Sequence, residues 1–303
     1  MLNRHPLRAA VIGAGILGVD LAEKLLASTT LTCTLVTGRR DSSGLRLAAE
    51  LGCATSTAGV DAVGSDIDIV FDASNAAAHP AHWGELASRE DVLLVDLTPS
   101  SGGTMVAPTV NGYRAESARH LNLVSCGGQA VLPVLNALAQ HCTPAYVEVV
   151  TTAASASVGP ATRRNLDEYL ATTEYAIRRL THAPEAKVLT AISPARPAPA
   201  FRAEVTVLAS DLGGSEPTLR ASVEAAAAEV RSFAPGYAVT SVVVADGRVT
   251  VSVRVTAPGG RLRSYAGNVE IINAAAVAVA ERNAASRKEV RSDGHRGQAR
   301  ARA

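Results

Sequence analysis

A short apolar strand, Leu7–Ile12, runs straight into Gly13-Ala14-Gly15-Ile16-Leu17-Gly18, and the helical VDLAEKLLAS follows at once. Glycines at this spacing, between a strand and a helix, leave few choices of fold. The first permits a tight turn, the second lets backbone approach a pyrophosphate, and the third lets helix and strand pack closely. The chain is therefore expected to begin with a parallel, doubly wound sheet that binds a dinucleotide.

The next hundred residues repeat the strand–helix alternation. Leu31–Val36 reads as a strand, GLRLAAELG as a helix, DIDIVFDAS as a strand, AAAHPAHWGELAS as a helix, and DVLLVDLTPS and LNLVS as strands. Such alternation predicts a parallel sheet over residues 1–125. Near residue 144 the pattern changes. PAYVEVVTTAA, KVLTAIS and FRAEVTVLAS read as strands, with NLDEYLATTEYAIRRL and PTLRASVEAAAAEVRSF as helices. SVVVADGRVTVSVRVTA reads as a hairpin whose Asp246-Gly247 supplies the positive φ angles of a tight turn. An α+β unit around a mostly antiparallel sheet is expected over 126–267. A last apolar helix over 268–284 is expected to pack back on the first unit. The segment 285–303 is basic and without apolar periodicity, and reads as a disordered tail.

Bulk properties narrow the function. A net charge of +1 gives no electrostatic case for nucleic acid, and aromatics at 3% offer no base-stacking platform. No apolar run approaches the roughly 18 residues of a membrane span, and the N-terminus reads as strand and glycine loop rather than signal peptide. The 4 cysteines lie at irregular spacing without a CxxC pair. That argues against a zinc site or a disulfide framework and for a reducing cytoplasm.

One cysteine stands apart. In LNLVSCGGQA a strand stops, Cys126 follows, and AVLPVLNALAQH opens a helix with Val131, Leu135 and Leu138 on one face. Pro133 suits only a first turn, which predicts a helix start near Gly128–Ala130. Cys126 would then precede a helix N-terminus, whose free amides and dipole favour a thiolate. Gln129, one turn on, is a candidate donor to a developing oxyanion. A dinucleotide fold with an activated cysteine points to aldehyde oxidation: thiohemiacetal, hydride transfer, then a thioester passed to an acceptor.

Several segments make a resemblance specific. VDLTPSSGG, NLVSCGGQA, SVGPATRRNLDEYLATT and YAGNVEIINAAAVAVAE, in this order over most of the chain, resemble the acylating acetaldehyde dehydrogenases. The resemblance implies a Rossmann-type α/β first domain with a catalytic and dimerisation domain after it. It implies oxidation of acetaldehyde or another short aldehyde to acyl-CoA with NAD and coenzyme A, in the catabolism of aromatic hydrocarbons. A 4-hydroxy-2-oxovalerate aldolase is the implied partner, and a homo-oligomer the implied assembly. Residue by residue, it makes Cys126 the acyl-thioester nucleophile. It gives cofactor contacts to Ala14, Ile16 and Leu17 with their glycines, and to Asn268. The same role falls to Ser157, Val158, Gly159, Pro160, Ala161, Thr162, Arg163, Arg164 and Asn165. In that stretch Gly159-Pro160 bends the chain and a helix opens near Asn165, where free amides suit a phosphate.

Three positions depart from the family's pattern. Ile16 stands where asparagine is usual, and Arg40 where an acidic residue would take the 2′-hydroxyl of NAD. Arg39 and Arg40 instead suit the 2′-phosphate of NADP, although Asp41 follows them. Ala203 stands where an aspartate assists the cysteine. Glu204 is the neighbouring candidate, but on a regular strand it points to the opposite face, so a bulge would be needed to bring it in. The seven histidines read as surface residues, none placed beside Cys126. Two other readings share the plan: an acyl-phosphate reductase resembling the semialdehyde dehydrogenases, which needs a histidine at the cysteine, and a catalytically weakened, cofactor-binding partner of an aldolase.

Overall fold

The computed structural model describes residues 6–300, with side chains described through Arg287. In chain order the first elements are β1 (Leu7–Ile12), α1 (Ile16–Ala27), β2 (Leu31–Thr37), α2 (Ser43–Glu50), β3 (Ala54–Ser56), β4 (Ile69–Asp72), α3 (His79–Leu86), β5 (Leu93–Asp96), β6 (Thr104–Met105), α4 (Pro108–Asn111) and β7 (His120–Asn122). Among the described residues seven strands pair in the order β3-β2-β1-β4-β5-β7-β6, every pair parallel. The central strands β4 and β5 are buried on both faces and hold short apolar runs such as Ile69-Val70-Phe71, each inaccessible to solvent.

The remaining elements are α5 (Cys126–Ala139), β8 (Cys142–Ala154), α6 (Pro160–Arg164), α7 (Leu166–Thr181), β9 (Glu185–Ser193), β10 (Phe201–Leu212), α8 (Glu216–Arg231), β11 (Tyr237–Ala245), β12 (Arg248–Val255) and α9 (Gly267–Arg300). Five strands pair in the order β11-β12-β10-β8-β9, antiparallel except for β8 with β9. The whole is an α/β fold of one parallel and one mostly antiparallel sheet. Residues alternate along β10, with Phe201, Ala203, Val205 and Val207 buried among α5, α7 and α8 residues and Arg202, Glu204 and Leu208 on the open face. The β11–β12 turn has Asp246 at φ 51° and Gly247 at φ 71°, as the Asp-Gly pair requires.

Helix α9 returns to the first sheet, where Ile272, Ala276, Val279 and Ala280 join the core that contains Leu21 and Leu25 of α1. Polar ties accompany the packing: Asn273 donates to the Leu17 carbonyl and to Asp20, and Lys24 pairs with buried Glu270 at 2.8 Å. The expected disorder from residue 285 does not hold for 285–300, which continue α9. Ala, Glu, Lys and Arg are strong helix formers, and a segment without an apolar stripe can still be helical. Residues 301–303 lie outside the described residues. No helix among those described is long and apolar enough to cross a membrane.

Candidate active site

A cavity of about 750 Å³ lies where the carboxyl ends of β1, β2, β4 and β5 face the second sheet. This is the edge at which open parallel sheets bind ligands. Gly13, Ala14, Gly15, Ile16 and Leu17 line it. Gly18 does not; a Cβ there would sit 1.8 Å from the Gly13 carbonyl oxygen, so it serves helix–strand packing. Gly13 takes φ +110° against Ala73, while a Cβ on Gly15 would meet nothing within 4 Å and would project into free space. That opening lets backbone approach a pyrophosphate, and the loop fits a dinucleotide.

Of the segment 157–165, every residue but Arg163 lines the cavity. Arg163 turns back to its own loop, donating to the Ser155 carbonyl at 3.0 Å and the Val158 carbonyl at 3.2 Å. Asn268 also lines the cavity; its amide nitrogen donates to the Ser157 carbonyl at 3.0 Å, and its buried Oδ1 has no partner. The hydroxyl of Thr98 is likewise buried, unpartnered and on a cavity-lining residue. Buried polar atoms rarely go unpaired. A buried hydroxyl and a buried amide oxygen on the cavity lining suit a ligand that both donates and accepts, as the carboxamide of a nicotinamide does. At the far end stand Arg39 and Arg40, whereas Asp41 is not a lining residue and pairs with Arg46 at 2.8 Å. Among the described lining residues none is a carboxylate.

Cys126 lines the same cavity, as the first residue of α5. The helix begins earlier than Pro133 suggested, because Ser125 caps it, its hydroxyl accepting from Gly128 N–H at 2.8 Å. Pro133 therefore lies inside the helix. The turn before the cap is strained: Val124, a β-branched residue, takes φ 63°. Gln129 accounts for part of its support. Buried, it donates to the Leu123 and Val106 carbonyls at 2.8 Å each, so its amide braces the loop and is not free for an oxyanion. It is not a cavity residue.

Tyr169, on α7, was not foreseen. Its hydroxyl lies 3.7 Å from Cys126 Sγ and accepts from Gly127 N–H at 3.1 Å. In the thiol form Sγ–H donates to Oη; in the thiolate form the phenol donates to sulfur. A Cβ on Gly127 would lie 2.3 Å from this oxygen, so the first glycine of CGG leaves room for the tyrosine. The signal was present: Tyr169 sits one helical turn beyond Asn165, the residue at the N-cap of α7. Burial pushes the Cys126 thiol up, and the Tyr169 hydroxyl and the amides of Gly127 and Cys126 only partly offset it. The expected depression by the helix start is outweighed. Tyr169 itself is held well above the usual phenol range, chiefly by burial, and stays protonated.

Ala203 faces the helix layer with 1% exposure, in register with Thr151 and Val253. The pairing is unbroken from Phe201 to Leu208, without a bulge, so Glu204 stays on the open face and does not line the cavity. It is not a catalytic candidate. The histidines also differ from expectation: His79 and His82 are buried because Asp72 holds both through Nδ1, at 2.9 and 2.8 Å, and His82 reaches the cavity.

The chain is 50% identical over 279 residues to the acetaldehyde dehydrogenase of Streptomyces griseus subsp. griseus, covering 91% of this chain and 90% of that one. This chain belongs to the acetaldehyde dehydrogenase family. The family model described as prokaryotic acetaldehyde dehydrogenase, dimerisation, matches residues 126–263. A second acetaldehyde dehydrogenase, of Pectobacterium atrosepticum, is 38% identical, with 92% of this chain and 96% of that one aligned. Among solved structures, aspartate semialdehyde dehydrogenase II of Vibrio cholerae superposes with a TM-score of 0.62 at 16% identity, covering 92% of this chain and 98% of that one. At that identity the likeness shows the shared fold alone. As an acetaldehyde dehydrogenase family member, the chain is an oxidoreductase.

Proposed function

We propose that this chain oxidises acetaldehyde, or another short aldehyde, to the corresponding acyl-CoA through a thioester on Cys126. One observation carries the reading: Cys126 shares a single cavity with the glycine loop and with the unpartnered groups of Thr98 and Asn268. The Cys126 thiolate, steadied by the Tyr169 hydroxyl and the start of α5, adds to the aldehyde carbon. A bound nicotinamide supplies the hydride acceptor. The thioester left on Cys126 is then taken by the thiol of coenzyme A, an exchange nearly balanced in energy. Tyr169 remains protonated throughout, acting as a hydrogen-bond donor to sulfur and not as the base. With no carboxylate at the position of Ala203, the thiol proton leaves to solvent, and turnover is expected to rise with pH.

Arg39 and Arg40, with no acidic residue beside them in the cavity, support binding of NADP alongside NAD. Residues 1–125 with α9 form the dinucleotide part in this reading, and 126–267 the catalytic and dimerising part. A homo-oligomer through the open face of the second sheet is supported by the family model over 126–263 and by Leu189, Leu208 and Val243, which that face leaves exposed. All four cysteines are free thiols, in keeping with a cytoplasmic setting. An aldolase of the 4-hydroxy-2-oxovalerate type as the source of aldehyde, in aromatic catabolism, rests on the family resemblance. The test is the growth of nicotinamide absorbance on mixing enzyme, acetaldehyde, coenzyme A and NAD or NADP. It should require all components and vanish in Cys126→Ala; activity surviving that substitution would overturn the proposal.

A further inference from the structure

Behind the cavity wall a buried cluster takes no part in the aldehyde chemistry. His79 lies at the start of α3, Asp96 at the end of β5 and His120 at the start of β7. His79 Nε2 is 2.9 Å from His120 Nε2 and 3.3 Å from Asp96 Oδ2, and the three atoms lie within 4.8 Å of one another. None of the three residues lines the cavity.

We propose that His79, Asp96 and His120 form a site for one divalent transition-metal ion of the zinc class. Two imidazole nitrogens and one carboxylate oxygen are a donor set that such ions take, with a fourth position left for water. At metal–nitrogen lengths of about 2.0–2.1 Å, tetrahedral donor atoms stand about 3.3 Å apart, so the His79–Asp96 spacing already suits the ion. The tighter His79–His120 spacing needs His120 to draw back a few tenths of an ångström. His120 is the half-buried member of the three.

The surroundings are those of a held site. His79 Nδ1 is bound to Asp72, the carboxylate–histidine arrangement that fixes a ligating tautomer and raises its basicity. Asp96 is fixed by Ser100 Oγ and by Thr98 N–H at 2.7 Å. The His120 ring stacks on Trp83 with centroids 4.4 Å apart, and Gly103 comes close enough that a Cβ would lie 2.8 Å from the ring. The irregular cysteine spacing spoke against zinc on thiolates; this set uses no sulfur, and its ligands are 17 and 24 positions apart, too scattered for a motif.

The ion would act by position. Asp72 leads into Ala73 and Ser74, Asp96 into Thr98 and Pro99, and His120 into the strand before Cys126; apart from β7, these followers line the cavity. One ion would pin three adjacent loops around the reacting sulfur.

The experiment is zinc uptake by the full-length, chelator-treated protein, measured by equilibrium dialysis and elemental analysis, alongside the absorption spectrum with cobalt(II). One zinc per chain is expected for the unaltered protein and for Cys126→Ala, and none above background for His120→Asn. The cobalt form should show visible d–d bands without a near-ultraviolet thiolate band. Uptake well below one per chain, uptake retained by folded His120→Asn, or a thiolate band would each overturn the proposal. Should His120→Asn fail to fold, the stoichiometry and cobalt spectrum of the unaltered protein decide alone. Zinc binding and acyl transfer are read separately, so either can fail without the other.

Discussion

Replacing Tyr169 by phenylalanine removes one oxygen from beside the Cys126 sulfur and leaves the ring that fills the space behind Gly127. That oxygen lies 3.7 Å from Cys126 Sγ and 3.1 Å from Gly127 N. A buried hydrogen bond to a charged group is worth about 1.5–3 kcal/mol. Sulfur bonds at this length belong near the lower end, so the thiolate should lose about 1.4 kcal/mol, or about one pKa unit. The Cys126 thiol is already pushed above its usual value by burial, and Tyr169→Phe drives it further up. The rate of alkylation by iodoacetamide, followed against pH, should have its alkaline rise displaced upward by about one unit. The rate near neutral pH, and kcat/KM for aldehyde with it, should fall about ten-fold. Gly127 N–H also loses its acceptor, so thermal stability drops too; the pH displacement is what a purely structural loss would leave unmoved. An alkylation profile at the same pH in the folded variant would refute the role given to Tyr169.

Three further outcomes follow from named contacts. Gly127→Ala sets a methyl 2.3 Å from Tyr169 Oη and should destabilise the protein by about 1–3 kcal/mol; adding Tyr169→Phe should recover part of the loss, whereas strict additivity in thermal melts would show that the clash is elsewhere. Arg40→Asp should lower the ratio of kcat/KM for NADP over NAD about ten-fold or more, and an unchanged ratio would mean Arg40 does not reach the 2′-phosphate. Asp20 is pushed up to about 6, chiefly by burial, so its protonated form favours the fold and that advantage is lost as pH rises through about 6. Asp20→Asn should therefore stabilise the protein by about 2–3 kcal/mol at pH 8 and hardly at all near pH 4; equal effects at both pH values would remove burial as the cause.

Local grammar carried far in this sequence. Gly13 and Gly18 announced the first sheet because a Cβ at either would strike backbone, and Asp246-Gly247 announced the hairpin because its turn needs positive φ angles. Strand alternation placed Glu204 on the face opposite Ala203, as found. What stayed hidden depends on pairs distant in sequence. Pro133 pointed to a later helix start because Ser125's cap and the packing of α5 outweigh the lost hydrogen bond. Gln129 looked free until the carbonyls of Leu123 and Val106 met it. His79 and His82 looked superficial because their burial rests on Asp72, which only the fold brings to them. Tyr169 was passed over although the departure at Ala203 raised the question it answers in part: the Cys126 sulfur has a neutral hydroxyl from α7 beside it and no carboxylate from β10.

The decisive measurement is the mass of the intact protein, and of its Cys126 peptide, after incubation with acetyl-CoA in the absence of reduced nicotinamide. A thioester on Cys126 should add one acetyl group to the protein, disappear on treatment with hydroxylamine, and be absent in Cys126→Ala. An unmodified protein, or an acetyl group carried on another residue, would contradict the assignment of Cys126 as the acyl carrier.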